Sequence, residues 1–190
     1  RLNAKTVKKN DINILTVGYE FVEPTENVTT SGQVSALKLN GNGDDFSRTY
    51  AYTYDDNGNI LSVSDGVHTT TYVYDSANQL IRENNQAGNL TKGWTYDNAG
   101  NMTSSIVASN TNGSLTMQNE SDYDDDGNLL TGSTDTNGIS TSYAYDLDWN
   151  MMLGLPSVVT DANDTETNIL YDNFGRTTRT SVANRAILEY

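Results

Sequence analysis

The chain has 190 residues, 11 Lys+Arg against 25 Asp+Glu, one His and no Cys, with a formal net charge of −14 and a sequence pI near 4.1. Without cysteine there is no disulfide, no thiolate nucleophile and no zinc–thiolate site, and the single histidine, His68, cannot build a multi-histidine metal centre. The acidic balance repels phosphates and disfavours a nucleic-acid partner, and no apolar run of about 18 residues exists to form a transmembrane helix.

Residues 1–50 are electrically balanced, with six basic and six acidic groups. The N-terminal stretch Arg1-Leu2-Asn3-Ala4-Lys5 lacks the apolar centre of a signal peptide. Further on, Gly18-Tyr19-Glu20-Phe21-Val22 reads as a strand entering a turn. From residue 51 to 170 only Arg82 and Lys92 oppose 17 acidic groups, so the acidity belongs to this stretch. Hydrophobic content is 35%, below the ~45–50% of ordinary globular domains. Twelve tyrosines, regularly placed, oppose a disordered reading.

The regularity is a repeat, which decides the organisation. Tyr-Asp recurs at Tyr54-Asp55, Tyr74-Asp75, Tyr96-Asp97, Tyr123-Asp124, Tyr145-Asp146 and Tyr171-Asp172. Around each copy the text is similar: YDDNGNIL, YDSANQLI, YDNAGNMT, YDDDGNLL, YDLDWNMM and YDNFGRTT. The fourth residue after Tyr is Gly58, Gly100, Gly127 or Gly175 in four copies, and Asn78 or Trp149 in the others. The fifth is Asn in four copies, Gln79 in the second and Arg176 in the last.

Each copy reads as a β-hairpin. Before the Asp, aromatics alternate at Tyr50, Tyr52 and Tyr54, at Tyr72 and Tyr74, at Trp94 and Tyr96, and at Tyr143 and Tyr145. A period of two places them on one face of a strand. The Asp opens a turn by bonding backbone N–H groups two residues on, and Gly supplies the positive φ of a bulged loop. An aliphatic residue then opens the return strand at Ile60, Leu80, Met102, Leu129 or Met151, expected opposite the Tyr. Looser turns follow at Ser64-Asp65-Gly66, Gln86-Ala87-Gly88, Asn112-Gly113 and Thr136-Asn137-Gly138. No helical periodicity is present over 12 residues. The expectation is an all-β array of antiparallel hairpins, with residues 1–49 a degenerate repeat region and 50–190 one continuous array. Phe21 stands in the Tyr position of that degenerate region, with Val22 replacing Asp. Arg1-Leu2 looks like the tail of an earlier copy, so a start within a longer array is expected.

The text Y-x-Y-D-x-x-G-N/R-L, six times in register, resembles the YD repeats of the Rhs family. Similar repeats occur in Tc toxin B/C components, bacterial wall-associated proteins and teneurins. The resemblance covers about residues 50–180 well and 1–49 poorly. It implies an extended, spiralling antiparallel sheet that winds into a hollow shell. In polymorphic toxins such a shell encloses a C-terminal toxic domain; in teneurins a similar one contributes to adhesion. The resemblance therefore implies a structural, non-enzymatic segment of a secreted or surface bacterial protein, without cofactor. Its partners would be the rest of the parent chain and an enclosed toxin domain. The autoprotease signature D-P-x-G is missing: Pro24 follows Glu23 and Pro156 follows Leu155. Residues 1–190 are therefore expected to be wall alone, without cargo or protease.

Sharper readings of single features fare less well. Asp122 to Asn128 imitates the first half of a calcium loop, but Ser133 stands where a bidentate Glu is needed and Leu130 is the ninth residue. The carboxylate pairs Asp55/Asp56, Asp124/Asp125/Asp126 and Asp146/Asp148 invite a glycosidase reading, yet most recur at one turn position with a structural reason. His68 lacks a nucleophile elbow and reads as a loop residue. Six N-x-S/T sequons, at Asn27, Asn89, Asn101, Asn112, Asn119 and Asn163, are no more than chance supplies in this composition. The tyrosine rows read as packed rows of the sheet, with a glycan-stacking platform as the alternative. Unpaired sheet edges would promote edge-to-edge association.

Overall fold

The structure, a computed structural model, describes residues 2–23, 32–41, 46–146, 153–182 and 185–189. All regular elements among them are β-strands, and every strand pair with a recorded register is antiparallel. The chain divides into two compact units, residues 1–91 and 92–190.

The first unit holds β1 (Ala4–Lys9), β2 (Ile12–Phe21), β3 (Val34–Gly41), β4 (Ser47–Tyr54), β5 (Ile60–Ser64), β6 (Thr69–Tyr74) and β7 (Leu80–Asn85), neighbours in the ladder in chain order. The second holds β8 (Leu90–Tyr96), β9 (Met102–Ser109), β10 (Leu115–Tyr123), β11 (Leu130–Thr134), β12 (Ser140–Ala144), β13 (Val158–Thr160), β14 (Glu166–Tyr171), β15 (Thr177–Val182) and β16 (Arg185–Glu189), again in chain order. Within each unit, hairpins therefore pair with their neighbours in sequence, the connectivity of a repeat array.

The period-two pattern resolves as two unlike faces. In β4, Tyr50, Tyr52 and Tyr54 are half-buried while Thr49, Ala51 and Thr53 are exposed. On the exposed face, hydroxyls pair across strands: Thr53 Oγ1 with Ser62 Oγ at 2.7 Å, and Thr134 Oγ1 with Ser140 Oγ at 2.9 Å. Such pairs each add a few tenths of a kcal/mol up to about 1 kcal/mol to a sheet. No second layer covers the tyrosine face of either unit among the described residues. Among the described residues only Ala36 and Leu129 form buried apolar core, at 7% and 9% exposure. With so little core, cohesion rests on strand pairing, on lateral packing of half-buried side chains and on polar stitching between turns.

Two details depart from the sequence-based expectation. Ile60 lies opposite Tyr54 and Leu80 opposite Tyr74, as the repeat predicts, but Leu130 and not Leu129 lies opposite Tyr123. The 124–129 loop is one residue longer, closing Asp124 N–H onto the Leu129 carbonyl where the other turns close four residues on. The extra residue turns Leu129 inward to a buried position. Met102 keeps its place at the head of β9 but stays 41% exposed. Met151, Trp149 and Asp148 lie outside the described residues, as do Arg1, Pro24, Asn27 and Tyr190.

In the stretch read as degenerate, Phe21 pairs with Val34 across a register break, and Val22 N–H donates to the Gln33 carbonyl at 2.9 Å. Those are the positions of Tyr54 and Asp55 in the next hairpin, whose register also breaks at Tyr54.

Candidate functional site: the Tyr-Asp turns

The sixteen residues singled out by the repeat do not converge on one pocket. They lie along one margin of each unit, and the turns at Asp55, Asp75, Asp97 and Asp172 are built alike. The Asp backbone N–H and the N–H three residues on close the loop: Asp55 N–H donates to Asn59 O at 3.0 Å and Gly58 N–H to Asp55 O at 3.1 Å. The same pair of bonds forms at Asp97 with Asn101 and Gly100, and at Asp172 with Arg176 and Gly175. This is a type I turn followed by a left-handed residue, the bulged three-residue hairpin. The left-handed position has φ of 90° at Gly58, 92° at Gly100, 70° at Gly127 and 76° at Gly175, and Asn78 fills it at 61°. Asn tolerates that region better than any other residue with a side chain, which is why the second copy survives without glycine.

The Asp carboxylate fills the loop. Asp55 Oδ1 accepts Asn57 N–H at 3.0 Å and Asn59 N–H at 2.8 Å, while Oδ2 accepts the Asn59 side-chain amide at 2.9 Å. Asp97 repeats the set with Ala99 and Asn101, and Asp75 makes the two backbone bonds with Ala77 and Gln79. In the last copy Arg176 takes the role of the Asn, donating from Nε to Asp172 Oδ2 at 2.7 Å. The Asn59 and Asn101 amides, helped by the backbone donors, hold the Asp55 and Asp97 carboxyls below the usual carboxylate range. The Arg176 side chain does the same for Asp172. The loop after Asp146 lies outside the described residues.

Between turns the contacts run from hairpin to hairpin. The Tyr54 hydroxyl donates to Val34 O at 2.8 Å and Tyr74 to Ile60 O at 3.1 Å. Tyr145 donates to Leu130 O at 2.8 Å and Tyr171 to Pro156 O at 3.0 Å; Tyr123 reaches Met102 O at 3.3 Å. Each hydroxyl thus holds the main chain at the start of the preceding hairpin's return strand. Burial pushes the phenols of Tyr54, Tyr74, Tyr145 and Tyr171 above the ordinary tyrosine value. In the forward direction, Asn59 Nδ2 reaches Asn78 Oδ1 at 2.8 Å and Asn101 Nδ2 reaches Gly127 O at 2.6 Å. Asn57 Nδ2 adds a bond to the same Asn78 oxygen at 2.9 Å.

Sequence reasoning read the Tyr as a cross-strand packing residue and left the fifth-position Asn without a role. The hydroxyl bonds and the Asn relay were therefore missed, although Asn in four of six copies was the available signal. Two further turns share the design without a preceding Tyr: the one at Thr136-Asn137-Gly138, expected as a looser turn with no role for Asp135, and one at Asp161 that the sequence reading did not name. Asp135 accepts Asn137 and Ile139 N–H groups at 2.8 and 2.9 Å, and Asp161 accepts Asn163 and Thr165 N–H groups at 2.8 and 2.9 Å. Both lie on the opposite margin, where D-x-N-[GD] is the text that reveals them. Asp65 there also accepts Val67 and His68 N–H groups. His68 is an exposed loop residue.

The Asp-rich segment 122–128 is one of these turns: Asp124 Oδ1 accepts Asn128 and Leu129 N–H groups at 2.6 and 3.0 Å. No group of three or more His, Asp or Glu among the described residues is placed to hold a metal ion. No described helix is long and apolar enough to cross a membrane.

Comparison with known proteins points the same way. The RHS Repeat family model matches residues 54–90 and 74–112. No curated protein matches the sequence. Among solved structures, a TcdB2–TccC3–Cdc42 complex aligns over 95% of this chain and 12% of its own, at 13% identity and a TM-score of 0.54. TcdB2–TccC3 alone gives 98%, 12%, 13% and 0.54, and its form without the hypervariable C-terminal region gives 97%, 12%, 12% and 0.51. The chain thus spans 12% of the length of these proteins, and at such identity the likeness is one of fold. Two overlapping matches to the family model place RHS repeats over residues 54–112, and the six Tyr-Asp copies in one register make the chain similar to a fragment of an Rhs, or YD-repeat, array.

Proposed function

We propose that this chain is a stretch of wall in a larger secreted or surface-exposed Rhs-type protein, contributing to a β-shell that encloses a toxin domain. The observation that supports this most is where the motif spends its chemistry. Tyrosine hydroxyls at five copies bind the preceding hairpin's main chain, and Asn59 and Asn101 bind the following turn. Groups used to hold neighbours in line serve an extended wall, not a substrate. The role is structural and not catalytic on this reading. Residues 50–190 act as one array, and 1–49 as its degenerate beginning. The likeness to TcdB2–TccC3, whose printed description includes a hypervariable C-terminal region, supports a parent chain with a variable terminal domain.

The sheet margins at β1 and β16 would be taken by neighbouring hairpins of the parent, and the isolated chain would pair edge to edge. The reading is tested on the parent protein by limited proteolysis. Its C-terminal domain should resist protease in the intact protein and become cleavable when the hairpins 50–109 are deleted. A domain equally cleavable before and after deletion would overturn the enclosing role. Adhesion is the alternative in that event, and a glycan array with the same protein would test it.

A further inference from the structure

We propose that the Asp–Asn pairs at Asp55/Asn59 and Asp97/Asn101 are acid-sensitive latches between neighbouring hairpins. The proposal rests on the wall reading, since it concerns what couples one hairpin to the next.

The geometry carries it. A single atom, Asn101 Nδ2, makes two bonds at once: one to Asp97 Oδ2 at 2.9 Å within its own turn, one to Gly127 O at 2.6 Å in the next. Asn59 Nδ2 does likewise, to Asp55 Oδ2 at 2.9 Å and Asn78 Oδ1 at 2.8 Å. The carboxylate is an acceptor only, so it dictates that the amide present its nitrogen and not its oxygen. With the nitrogen so placed, its second hydrogen points at the neighbouring turn. A protonated carboxyl becomes a donor at the same spot and favours the amide turned over. The Asn oxygen would then face Gly127 O or Asn78 Oδ1, two acceptors with no hydrogen between them. The inward bond and the outward bond are therefore lost together, and with them the coupling of the two hairpins.

The charged surroundings set the range. Facing the Asp97 latch across an open trough are Glu120, Asp122, Asp124, Asp125 and Asp126, with no cation among the lining residues. Around the Asp55 latch lie Asp56 in the same turn and Asp75 in the turn that carries Asn78. The latch carboxyls are held low by their amide and backbone donors, so they protonate below the ordinary Asp value of about 3.9. Acid in that range releases the latches before the strand ladders yield.

The experiment is a pH titration of the folded chain followed by NMR of the Asn side-chain amides. The Asn59 and Asn101 side-chain amide hydrogens should be protected from exchange at neutral pH. They should lose protection with a midpoint below about 3.9 while backbone amides of β4, β5, β9 and β10 stay protected. Asp97→Asn should abolish protection at Asn101 at neutral pH and leave Asn59 unchanged. Protection that persists until the strands themselves exchange would overturn the proposal, as would a midpoint at or above the ordinary Asp value. Should Asp97→Asn fail to fold, the wild-type titration decides alone. Either failure leaves the protease test of the wall reading untouched.

Discussion

Gly127→Ala tests whether neighbouring turns are in true contact. Gly127 has φ of 70°, and an added Cβ would lie 2.7 Å from the Ala99 Cβ and 3.1 Å from Asn101 Nδ2. Ala99 Cβ is fixed to the main chain of the preceding turn, so it cannot swing aside. Gly138 is the matched control, with φ of 75° and nothing within 4 Å of the added carbon. Both substitutions incur the left-handed penalty, about 1–2 kcal/mol for a residue with a Cβ. Only Gly127→Ala adds a forced overlap, for which overpacking penalties run about 1–3 kcal/mol. Gly138→Ala should therefore cost ~1–2 kcal/mol and Gly127→Ala ~2–5 kcal/mol. The assay is equilibrium urea unfolding followed by tyrosine and tryptophan fluorescence. Ala99→Gly placed in the Gly127→Ala background should recover most of the excess. Equal losses for the two glycines, or no recovery with Ala99→Gly, would show that the turns do not bear on one another.

Further outcomes follow from the same geometry. Tyr145→Phe removes a hydroxyl bonded to Leu130 O and should cost about 1 kcal/mol in urea unfolding, leaving a half-buried carbonyl short of a partner. No change would mean the hydroxyl bond is incidental. Leu129→Ala should be more costly than Met102→Ala, ~2 kcal/mol or more against under ~1 kcal/mol, because Leu129 is 9% exposed and Met102 41%. The reverse order would contradict the longer 124–129 loop. Acid should destabilise the chain through the turn aspartates Asp65, Asp161 and Asp172, whose carboxyls are held low by backbone N–H donors or by Arg176. A lowered folded value gives stability that is complete above the unfolded Asp value, about 3.9, and is lost as pH falls through the folded values. The urea midpoint should thus fall as pH drops below ~3.9. A midpoint that keeps rising into stronger acid would refute this.

The hairpins and their turns were legible because they are local. Asp, then Gly three residues on, then an apolar residue is a message about backbone dihedrals, and dihedrals are decided within a few residues. What the text did not disclose is long-range. YDDNGNIL and YDDDGNLL look alike, yet the second closes one residue later. The difference correlates with burial of Leu129 and with the bond from Asn101 to Gly127 O, which both depend on the preceding hairpin. The tyrosine hydroxyl bonds were hidden for the same reason: Tyr54 and Val34 are 20 residues apart. The roles of Asp135 and Asp161 were hidden for a different reason, since the repeat is marked by Tyr-Asp while the turn needs only the Asp. The acidity that first suggested a partner is, at these turns, a set of acceptors for backbone N–H groups.

The central claim is that these hairpins form wall. Electron cryomicroscopy of the parent protein tests it most directly. The account predicts that residues 54–175 appear as successive hairpins in the side of a closed hollow shell, with the Tyr-Asp turns stacked one on the next and density for a domain inside. A structure in which these residues stand apart as an open stalk enclosing nothing would contradict it.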